Sequence, residues 1–403
     1  MFTFLFTVIY IRRSSVLRTI NDATYAAESW NLNYQKRRFT YAVPLTKVET
    51  VDTNGMQPVK NRKHLVVYNP VQGRLNVHIR GLKMASCVAD NCNVTIMRNQ
   101  SRDQISADAV VYQGNKIPDI TPERLGERQV FVFDNSEPPW YMHNKHSVEV
   151  LETDSTFINW TLTYKQDSDA WAPYGIIIPR SLSKEEYLQS LQKGETINTF
   201  DSKYLTTDTT NKDYGQIFDA KTKDVLWLVS HCYSTSKRET YVDMMRQHIN
   251  VDIYGKCGGL RIRNNTTFDG QFKFYLAFEN NMCKDYITEK FFSWYSKDII
   301  VVVRGGADYS KFVPEGSYVN AADFASPGAL ADFLNKLGSD RERYIGYLKR
   351  KDQYQVITEQ ESVQNAFCTL CWRLNHLNEY RNPQTNMSTW WLNDCWRPTD
   401  IHT

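Results

Sequence analysis

A dense group of hydrogen-bonding side chains lies between two apolar runs near residue 280. The stretch 277–290 reads AFENNMCKDYITEK; it follows the apolar run FKFYL and precedes the apolar run FFSWY. Its hydrogen-bonding side chains include Glu279, Asn280, Lys284, Asp285, Tyr286, Glu289 and Lys290. The first apolar run predicts a strand and the second a helix. Polar groups at such a junction can bind a ligand, because the first N–H groups of a helix have no partner within it.

A second polar group lies earlier in the chain, at the start of another predicted helix. Ser234, Ser236 and Arg238 follow the apolar run VLWLVS, and we predict a helix cap at Ser234, Thr235 or Ser236. Helix N-termini attract phosphate, and the cations Arg238 and Lys290 can together hold a diphosphate without a metal. The alternative is that both are ordinary solvated helix charges. The dinucleotide pattern Gly-x-Gly-x-x-Gly and the P-loop pattern are both missing from the sequence.

The elements that must position these groups alternate in the second half of the chain. Four apolar runs predict strands there: VLWLVS, VDIYG, FKFYLAF and DIIVVVRGG. Helical patterns separate them, and a later helix, SPGALADFLNKLG, has Ser326 as its cap and Pro327 at its first position. Alternating strands and helices predict a parallel sheet, in which ligands bind at the carboxyl ends of the strands. Both polar groups fall at such ends.

The first half is richer in predicted strands. The runs HLVVYN, NVTIM, DAVVYQG, RQVFVFD and FINWTLTY have the apolar density of buried strands. Residues 184–193 predict a helix, whereas the polar stretches 12–62 and 195–222 predict a stem and an inter-domain linker. A length of 403 residues suits two domains with tails.

Composition argues against one class of partner and leaves another open. Lys and Arg number 48 against 45 Asp and Glu, so the net charge is +3. This balance, without a basic stripe, gives no support to a general nucleic-acid surface. Aromatic residues make up 13% of the chain and include ten Trp. They suit either an ordinary core or faces that pack on sugar rings.

Cysteines and glycosylation sequons indicate the secretory pathway. The chain has eight Cys, an even number that is compatible with disulfides. Six Asn-x-Ser/Thr sequons occur, at Asn93, Asn99, Asn159, Asn264, Asn265 and Asn386. We take Asn93, Asn99, Asn264 and Asn386 as the glycosylation candidates. Together the two features favour an oxidising lumen.

The apolar run 2–11 at the N-terminus has two interpretations. It is shorter than the roughly 20 residues that span a bilayer, and no clear cleavage site follows it. Arg12 and Arg13 lie after the run, which is the wrong side for an anchor with a lumenal C-terminal domain. The run is either the clipped end of a longer signal-anchor or a buried or disordered segment.

Several of these stretches resemble the α1,3-fucosyltransferases, glycosyltransferase family 10. FYLAFENNMCKDYITEKFF is similar to the family's signature, Phe-Tyr-Leu-x-Phe-Glu-Asn followed by Asp-Tyr-Ile-Thr-Glu-Lys. FINWTLTYKQDSDAWAPYG (157–175), SHCYSTSKRETYV and VDIYGKCG resemble three further motifs. SEPPW stands where the family has Glu-Ser-Pro, and DIIVVVRGG lacks the proline that the family usually has in this strand. The likeness runs from about 65 to 375.

The resemblance implies an α/β fold of the GT-B type, with two Rossmann-like domains facing a central cleft. We predict a partial signal-anchor and stem at 1–62, an acceptor-side domain at 63–194 and a linker at 195–222. A GDP-fucose-binding domain follows at 223–355, and the segment 356–403 packs back on the first domain. The implied reaction transfers fucose from GDP-β-L-fucose with inversion at its anomeric carbon.

The resemblance also assigns roles to individual residues. Glu137 is the expected general base, because an acceptor hydroxyl must lose a proton as it attacks. Arg238 and Lys290 are expected to neutralise the diphosphate. Ser234, Ser236, Asn280, Tyr286 and Glu289 are expected to hold the nucleotide sugar. The open alternatives are that Glu137 is only a turn residue and that Glu149 or Glu152 is the base.

Two patterns resemble metal sites. Asp167-Ser168-Asp169 is a DxD pattern, but it lies away from the expected nucleotide site, so we favour a structural or acceptor-side role. Cys368-x-x-Cys371 with Cys87 and Cys92 can form a four-Cys zinc site, or disulfides in an oxidising lumen. The family's disulfides tie an early pair of this kind to a C-terminal Cys-x-x-Cys. We expect no required metal, with non-essential stimulation by Mn²⁺ left open.

We therefore predict a Golgi α1,3-fucosyltransferase that modifies a GlcNAc of N-glycans. The expected topology is a single-pass type II membrane protein with a lumenal catalytic region and an anchor that is truncated here. Core and antennary GlcNAc remain alternatives. The alternative from another class is a catalytically inactive, glycan-binding relative.

Overall fold

The computed structural model describes most of the chain after the N-terminal region. The residues that it describes are 62–68, 78–79, 81–97, 106–118, 123–154, 156–204, 211–260, 268–380 and 386–401. One compact unit comprises Asn54–Asn375 and Asn382–Thr403; a second includes the short helix Leu377–Tyr380. Among the described residues, no helix has the length and apolar character to cross a membrane. The apolar run 2–11 and the predicted stem up to residue 61 lie outside them.

A six-stranded parallel sheet occupies the first half of the chain. Its strands are β1 (Lys63–Tyr68), β2 (Cys92–Met97), β3 (Ala109–Gln113), β4 (Val130–Asn135), β5 (Trp160–Thr163) and β6 (Ala170–Trp171), in the order β2-β1-β3-β4-β5-β6. All five apolar runs that predict strands in the first half of the chain lie in this sheet. Because β3, β4 and β5 are buried almost throughout, their sequences are continuous apolar runs rather than alternating ones.

A five-stranded parallel sheet occupies the second half. It contains β8 (Lys223–Leu228), β9 (Val251–Tyr254), β10 (Phe272–Phe278), β12 (Ile300–Arg304) and β13 (Val319–Asn320), in the order β13-β12-β10-β8-β9. The chain therefore changes direction across the sheet between β8 and β10. In such sheets ligands bind outside the carboxyl ends of the strands at this change of direction.

Helices pack on both sheets. Those of the first unit are α1 (Lys145–Thr153), α2 (Lys184–Gln192), α3 (Tyr214–Asp219), α4 (Arg238–Met245), α5 (Phe268–Gln271), α6 (Glu289–Tyr295), α7 (Pro327–Ser339), α8 (Arg341–Asp352) and α9 (Glu359–Asn375). The predicted cap of α7 is present, since the Ser326 side chain accepts the N–H of Ala329 and Pro327 opens the helix. Within the predicted linker 195–222, α3 buries Tyr214 in the core of the second sheet.

The cap predicted for α4 at Ser234, Thr235 or Ser236 is wrong. The helix begins at Arg238, and its N-cap is Lys237, which has a φ of 48° and makes no capping hydrogen bond with its side chain. The hydroxyls of the three preceding residues are engaged elsewhere, as described below. This left-handed residue turns the chain from the loop into the helix.

After α8 the chain returns to the first half. Two strands, β7 (Gly175–Pro179) and β14 (Tyr354–Thr358), pair antiparallel, and α9 then contacts α2, β1, β6 and β7. Disulfides join Cys87 to Cys368 and Cys92 to Cys371, so α9 is attached to the region around β2. This is the pairing between the two close Cys pairs that the resemblance implies.

Aromatic residues build most of the core. One hydrophobic cluster runs without interruption from the first sheet to one face of the second and includes Phe133, Tyr164, Tyr286 and Trp391. Among the described residues, five Trp are buried, namely Trp160, Trp227, Trp294, Trp390 and Trp391. Gly175 allows close packing here, because a Cβ at that position would lie 2.5 Å from Cγ of Phe292 in α6. The aromatic composition therefore largely reflects packing.

Candidate active site

The loops that follow β8 and β10 are bonded to each other at the carboxyl edge of the second sheet. The N–H of Ser236 donates to the carbonyl of Asn280 at 3.1 Å, and its hydroxyl donates to the carbonyl of Glu279 at 2.6 Å. The Thr235 hydroxyl also donates to the Asn280 carbonyl, at 3.1 Å. Ser234 lies 3.1 Å from Ser236 between hydroxyl oxygens and donates to Glu239 at 2.9 Å. The two polar groups singled out in the sequence thus form one site, and the Ser236 hydroxyl serves its framework.

A fully buried carboxylate, Glu279, organises the loop after β10. It accepts hydrogen bonds from the backbone N–H of Thr288 at 2.8 Å, from its hydroxyl at 2.9 Å, and from Nζ of Lys290 at 3.1 Å. Burial raises the pKa of Glu279, and Lys290 acts in the opposite direction. The sequence alone indicated no particular role for Glu279. A carboxylate directly after a buried strand was the available signal, because burying it requires charged or hydrogen-bonding partners.

Lys290 is the cation that reaches the surface of this site. Its Nζ also donates to the hydroxyl oxygen of Thr288 at 2.7 Å and to the carboxylate of Glu289 at 3.3 Å. Even so, 22% of the Lys290 side chain is exposed. Burial disfavours the charge on Lys290, but Glu279 and Glu289 outweigh it and raise the pKa of the ammonium. The group is therefore held in place, charged and accessible to an anion.

Arg238 has a different position from the one that its predicted role suggests. It is only 4% exposed, and its guanidinium donates to the carbonyls of Phe278 at 2.7 Å and His231 at 3.3 Å. Its Nε atom is buried with no hydrogen-bond partner among the residues described. Burial lowers the pKa of Arg238, and Glu279 and Glu239 oppose this. The side chain holds the ends of β8 and β10 together, and its contact with a diphosphate stays a prediction.

Glu137, which follows β4 in the first sheet, meets the loop after β10. The hydroxyl of Tyr286 donates to Oε2 of Glu137 at 3.2 Å. Asn135, the last residue of β4, accepts the N–H of Glu137 at 3.1 Å and so fixes the turn. Asp285 has a φ of 59°, a left-handed conformation that an Asp tolerates better than most residues. That turn precedes Tyr286, whose ring packs edge-on against Tyr164.

The surroundings of Glu137 raise its pKa, which favours the role of general base that is predicted for it. Its side chain is exposed to solvent, yet neighbouring protein removes enough water to raise its pKa. Glu289 and Glu279 add to that rise, whereas the Tyr286 hydrogen bond and the charge of Lys290 oppose it. A carboxylate with a raised pKa removes a proton more readily once it is ionised.

Asn280 forms a second bridge between the two halves. Its Nδ2 donates to the hydroxyl of Tyr141 at 3.0 Å. Its Oδ1 atom is buried and has no partner in the described part of the chain. The structure thus brings predicted site residues from both halves together at the carboxyl ends of the strands, where sheets of this kind bind ligands; we call this position the crevice. These residues include Glu137, Ser236, Asn280, Tyr286 and Lys290.

The remaining predicted acids lie at the edge of this cluster or apart from it. Glu289 is the first residue of α6; its side chain is 54% exposed and pairs with Lys290. Glu149 and Glu152 are exposed on α1. Within the described residues, no hydrogen bond joins either carboxylate to Tyr286 or Lys290. Their position gives no support to the alternative that one of them is the base.

The DxD pattern is occupied by protein contacts. Oδ2 of Asp169 accepts the N–H of Thr161 at 2.9 Å, and its Oδ1 pairs with Arg373 at 2.8 Å. Asp167 lies 3.9 Å from Lys165 and 3.7 Å from Lys284. The described residues contain no group of three or more His, Cys, Asp or Glu side chains placed to hold a metal ion. These contacts agree with a structural role for the pattern.

All eight cysteines form disulfides. The sequence did not suggest two of these four bridges. Cys232, in the loop after β8, joins Cys257, and Cys283, within the signature stretch, joins Cys395. Neither pair has a characteristic spacing, because partners 25 and 112 residues apart meet only in the folded chain. Both bridges attach loops of the site to neighbouring chain.

The sequons differ in accessibility. Asn93 and Asn386 are exposed. Oδ1 of Asn159 instead accepts hydrogen bonds from the Arg124 guanidinium and from the N–H of Phe131, each at 2.9 Å. The other candidates, Asn99 and Asn264, lie outside the described residues, as does Asn265. The structure leaves Asn93 and Asn386 as the described positions that can accommodate a glycan.

Comparisons with known proteins agree with the architecture of this site. The family model "Fucosyltransferase, N-terminal" matches residues 60–175, and "Glycosyltransferase family 10 (fucosyltransferase) C-term" matches residues 218–390. The chain is 32% identical to alpha-(1,3)-fucosyltransferase C of Drosophila melanogaster, with 72% of this chain and 66% of that protein covered. It is also 32% identical to glycoprotein 3-alpha-L-fucosyltransferase A of the same organism, with 76% of this chain and 56% of that protein covered.

More distant comparisons agree. The human 4-galactosyl-N-acetylglucosaminide 3-alpha-L-fucosyltransferase FUT6 is 28% identical, with 72% of this chain and 73% of that protein covered. The crystal structure of an alpha1,3-fucosyltransferase matches with a TM-score of 0.50 at 15% identity, covering 84% of this chain and 96% of that one. This structural likeness shows the GT-B fold that the resemblance implies. The chain spans just under two thirds of the first Drosophila relative and little more than half of the second.

Proposed function

Because the chain belongs to glycosyltransferase family 10, the fucosyltransferases, we propose that it transfers L-fucose from GDP-β-L-fucose to a glycan hydroxyl. One observation carries the proposal. Glu137 from the first sheet lies 3.2 Å from the hydroxyl of Tyr286, four residues before Lys290 in the family signature. This contact between Glu137 and the loop that carries Lys290 supports a site with one base and one diphosphate-binding cation, which is the minimum that this reaction needs.

The reaction proceeds as a single displacement at C1 of fucose. The acceptor oxygen attacks C1 and gives its proton to Glu137, while the bond from C1 to the β-phosphate oxygen breaks and its electrons leave with GDP. Attack opposite the leaving group converts the β-linked donor to an α-L-fucoside, so the reaction inverts the anomeric carbon. One carboxylate suffices, because GDP leaves without being protonated when its charge is stabilised.

Lys290 and Arg238 supply the positive charge at the donor site. Lys290 contacts the diphosphate directly, since its ammonium is held by Glu279 and Thr288 and remains exposed. Arg238 acts from beneath the crevice, where it holds the two strand ends. Asn280, Ser234 and Glu289 contribute polar contacts to the nucleotide sugar. No metal is required in this account, and stimulation by Mn²⁺ is non-essential.

The proposed acceptor is the GlcNAc of an N-glycan, modified at O3. The two Drosophila relatives and the human enzyme are all named as 3-fucosyltransferases. One Drosophila name refers to glycoproteins, while the human name refers to galactosyl-N-acetylglucosaminide. Core GlcNAc and antennary GlcNAc are therefore the two acceptors to distinguish.

The proposed location is the lumen of the Golgi, with the catalytic region attached to the membrane by an N-terminal anchor. Four disulfides and two exposed sequons support an oxidising, glycosylating compartment. A full-length fusion to a fluorescent protein, compared with Golgi and reticulum markers and treated with peptide N-glycosidase, tests this location. Cytosolic signal with no change in mobility after the glycosidase would contradict it.

An acceptor panel tests the proposed function. Purified protein is incubated with GDP-fucose and three glycans: one with an accessible core GlcNAc, one with lactosamine antennae, and a galactose-terminated glycan without GlcNAc. We expect fucose on one of the first two only, with the linkage identified by mass spectrometry after permethylation. Binding of GDP-fucose without product on any of them would instead favour an inactive, glycan-binding relative.

A further inference from the structure

The segment that follows the family match lies against the donor site. The family models end at residue 390, whereas the described chain continues to 401. Strand β15 (Cys395–Trp396) pairs antiparallel with β11 (Met282–Cys283), which belongs to the loop after β10. The backbone carbonyl of Asp394 accepts the N–H of Lys284 at 2.9 Å. Residues 394–400, which we name the C-terminal strap, therefore run along the signature loop.

The strap ends on a buried cation. Asp400 binds Arg304 with two hydrogen bonds of 2.7 Å, one to Nε and one to Nη2. Arg304 is the last residue of β12 and only 2% exposed, while the Asp400 side chain is 35% exposed. A two-point contact of this kind fixes the plane of a guanidinium as well as its position. The ring of Tyr241, 4.7 Å away, packs on the same group.

The third nitrogen of Arg304 holds the donor-site loop. Nη1 donates to the carbonyl of Ser236 at 2.9 Å. The backbone carbonyl of Arg304 accepts the N–H of Glu279 at 2.8 Å. One residue thus contacts both loops of the crevice, including the segment that presents Ser234 and the carboxylate that holds Lys290.

We propose that Asp400 is a positioning residue for the GDP portion of the donor: through Arg304 it fixes the loop 231–238 against the loop 279–290. The strap is then part of the donor site. Arg304 makes three side-chain hydrogen bonds to protein, and two of them depend on Asp400. Without that carboxylate the guanidinium is buried beside one neutral carbonyl, and its orientation toward Ser236 is lost.

The inference rests on the proposed function only in naming GDP as the ligand. The variant is Asp400→Asn, which keeps the size of the side chain and removes its charge. The matched control is Asp298→Asn. Asp298 is also 35% exposed and bonded to a cation, Lys212 at 2.6 Å, but it precedes the opposite end of β12. A general loss of stability affects both variants, whereas a donor-site effect is confined to the first.

Two measurements separate positioning from stability. Titration calorimetry of the purified proteins with GDP should show that Asp400→Asn weakens binding by about tenfold or more, while Asp298→Asn stays within twofold of wild type. In steady-state assays the KM for GDP-fucose should rise, while the KM for the acceptor and kcat change little. Amide hydrogen exchange without ligand should become faster at 231–238 and at Glu279 in Asp400→Asn alone.

The outcomes decide the inference whether or not fucose transfer is observed. It is overturned if folded Asp400→Asn binds GDP within twofold of wild type with unchanged exchange at 231–238, or if both variants weaken GDP binding equally. Should Asp400→Asn fail to fold, Asp400→Glu decides, because it keeps the charge and displaces the guanidinium. We expect that variant to weaken GDP binding about threefold, and wild-type affinity would contradict the proposal. Failure of transfer with intact GDP binding would instead count against the proposed function.

Discussion

Single side chains determine the chemistry of the crevice, and the role predicted for Glu137 can be tested most simply by substitution. It is the one carboxylate of the three candidates that contacts the signature loop, through Tyr286. Its raised pKa has a physical origin in lost hydration and in two neighbouring acids. The charge of Lys290 lowers the pKa of Glu137, so the predicted base and the predicted diphosphate-binding cation influence each other electrostatically.

Glu137→Gln should abolish the base and leave the donor site intact. We expect kcat to fall by about 10² to 10⁴-fold, with GDP affinity within a few-fold of wild type. Glu149→Gln, on exposed α1, is the control and should retain normal turnover. Near-normal kcat in Glu137→Gln, measured by product formation over time, would move the base elsewhere.

The pH profile should report the environment of Glu137. Because the pKa of this carboxylate is raised, the base is protonated, and kcat/KM falls, at a higher pH than for an ordinary Glu. The Tyr286 hydrogen bond stabilises the ionised form and holds the pKa down. Tyr286→Phe should therefore move the acid limb of the profile to higher pH. A shift to lower pH, or an acid limb at the ordinary Glu value in wild type, would contradict this assignment.

Lys290 should act without a metal ion. Losing one preorganised charged donor costs about 10² in rate, so Lys290→Ala should lose about that much kcat/KM and should not be rescued by Mn²⁺. Lys284→Ala, in the same loop with its side chain 44% exposed, is the control. Most wild-type activity should survive EDTA; complete loss that Mn²⁺ restores would revive Asp167 and Asp169 as ligands.

The sequence located these side chains better than it described their contacts. Residue type and the family motif predict Glu137, Tyr286 and Lys290 as site residues, and the structure places Glu137 against the loop that carries the other two. They did not reveal that Arg238 is buried, because an Arg at a helix start looks the same whether it faces solvent or neighbouring carbonyls. No role was predicted for Glu279, because Thr288 and Lys290 reach its carboxylate only in the folded loop.

At the level of secondary structure, the order of the strands in the second sheet brings the loops after β8 and β10 together. The sequence pattern predicts this arrangement only in part. Alternating strands and helices predicted the parallel sheet of the second half, and the family resemblance implied a similar domain in the first half. Neither predicted the strand order that puts β8 beside β10. The cap of α4 was misplaced because Ser234, Thr235 and Ser236 are all good capping residues, yet their hydroxyls bond to Glu239 and to the loop after β10. Tertiary partners thus outweighed local preference.

The disulfides that attach α9 to the region of β2 should stabilise the fold. They join residues 281 and 279 positions apart, and a loop of that length corresponds to about 5 kcal/mol in the chain-entropy model. Since both bridges close nearly the same loop, replacing Cys92 and Cys371 by Ser should cost far less than replacing all four cysteines. Denaturant unfolding of the two variants tests this, with non-reducing peptide mapping of the wild type as the control. Equal losses, or free thiols in the wild type, would count against the pairing.

At the scale of the whole molecule, one aromatic core connects the two sheets beneath the crevice. Phe133 and Tyr164 from the first half contact Trp391, and Tyr286 contacts Tyr164. This continuity holds Glu137 near the signature loop without a ligand. No local pattern of the sequence predicts which aromatic residues meet, so the core and the strap at 394–400 became apparent only from the structure.

The stereochemistry of the product and its dependence on Glu137 provide the sharpest test of the proposed reaction. The account requires attack by an acceptor oxygen activated by Glu137, on the face of fucose opposite to GDP. Proton NMR of a reaction containing GDP-β-L-fucose and a GlcNAc-terminated acceptor should show an α-L-fucoside at O3 of GlcNAc accumulating in equal amount with GDP. No such signal should appear with Glu137→Gln over the same time. A β-fucoside, or equal product from both proteins, would contradict the account.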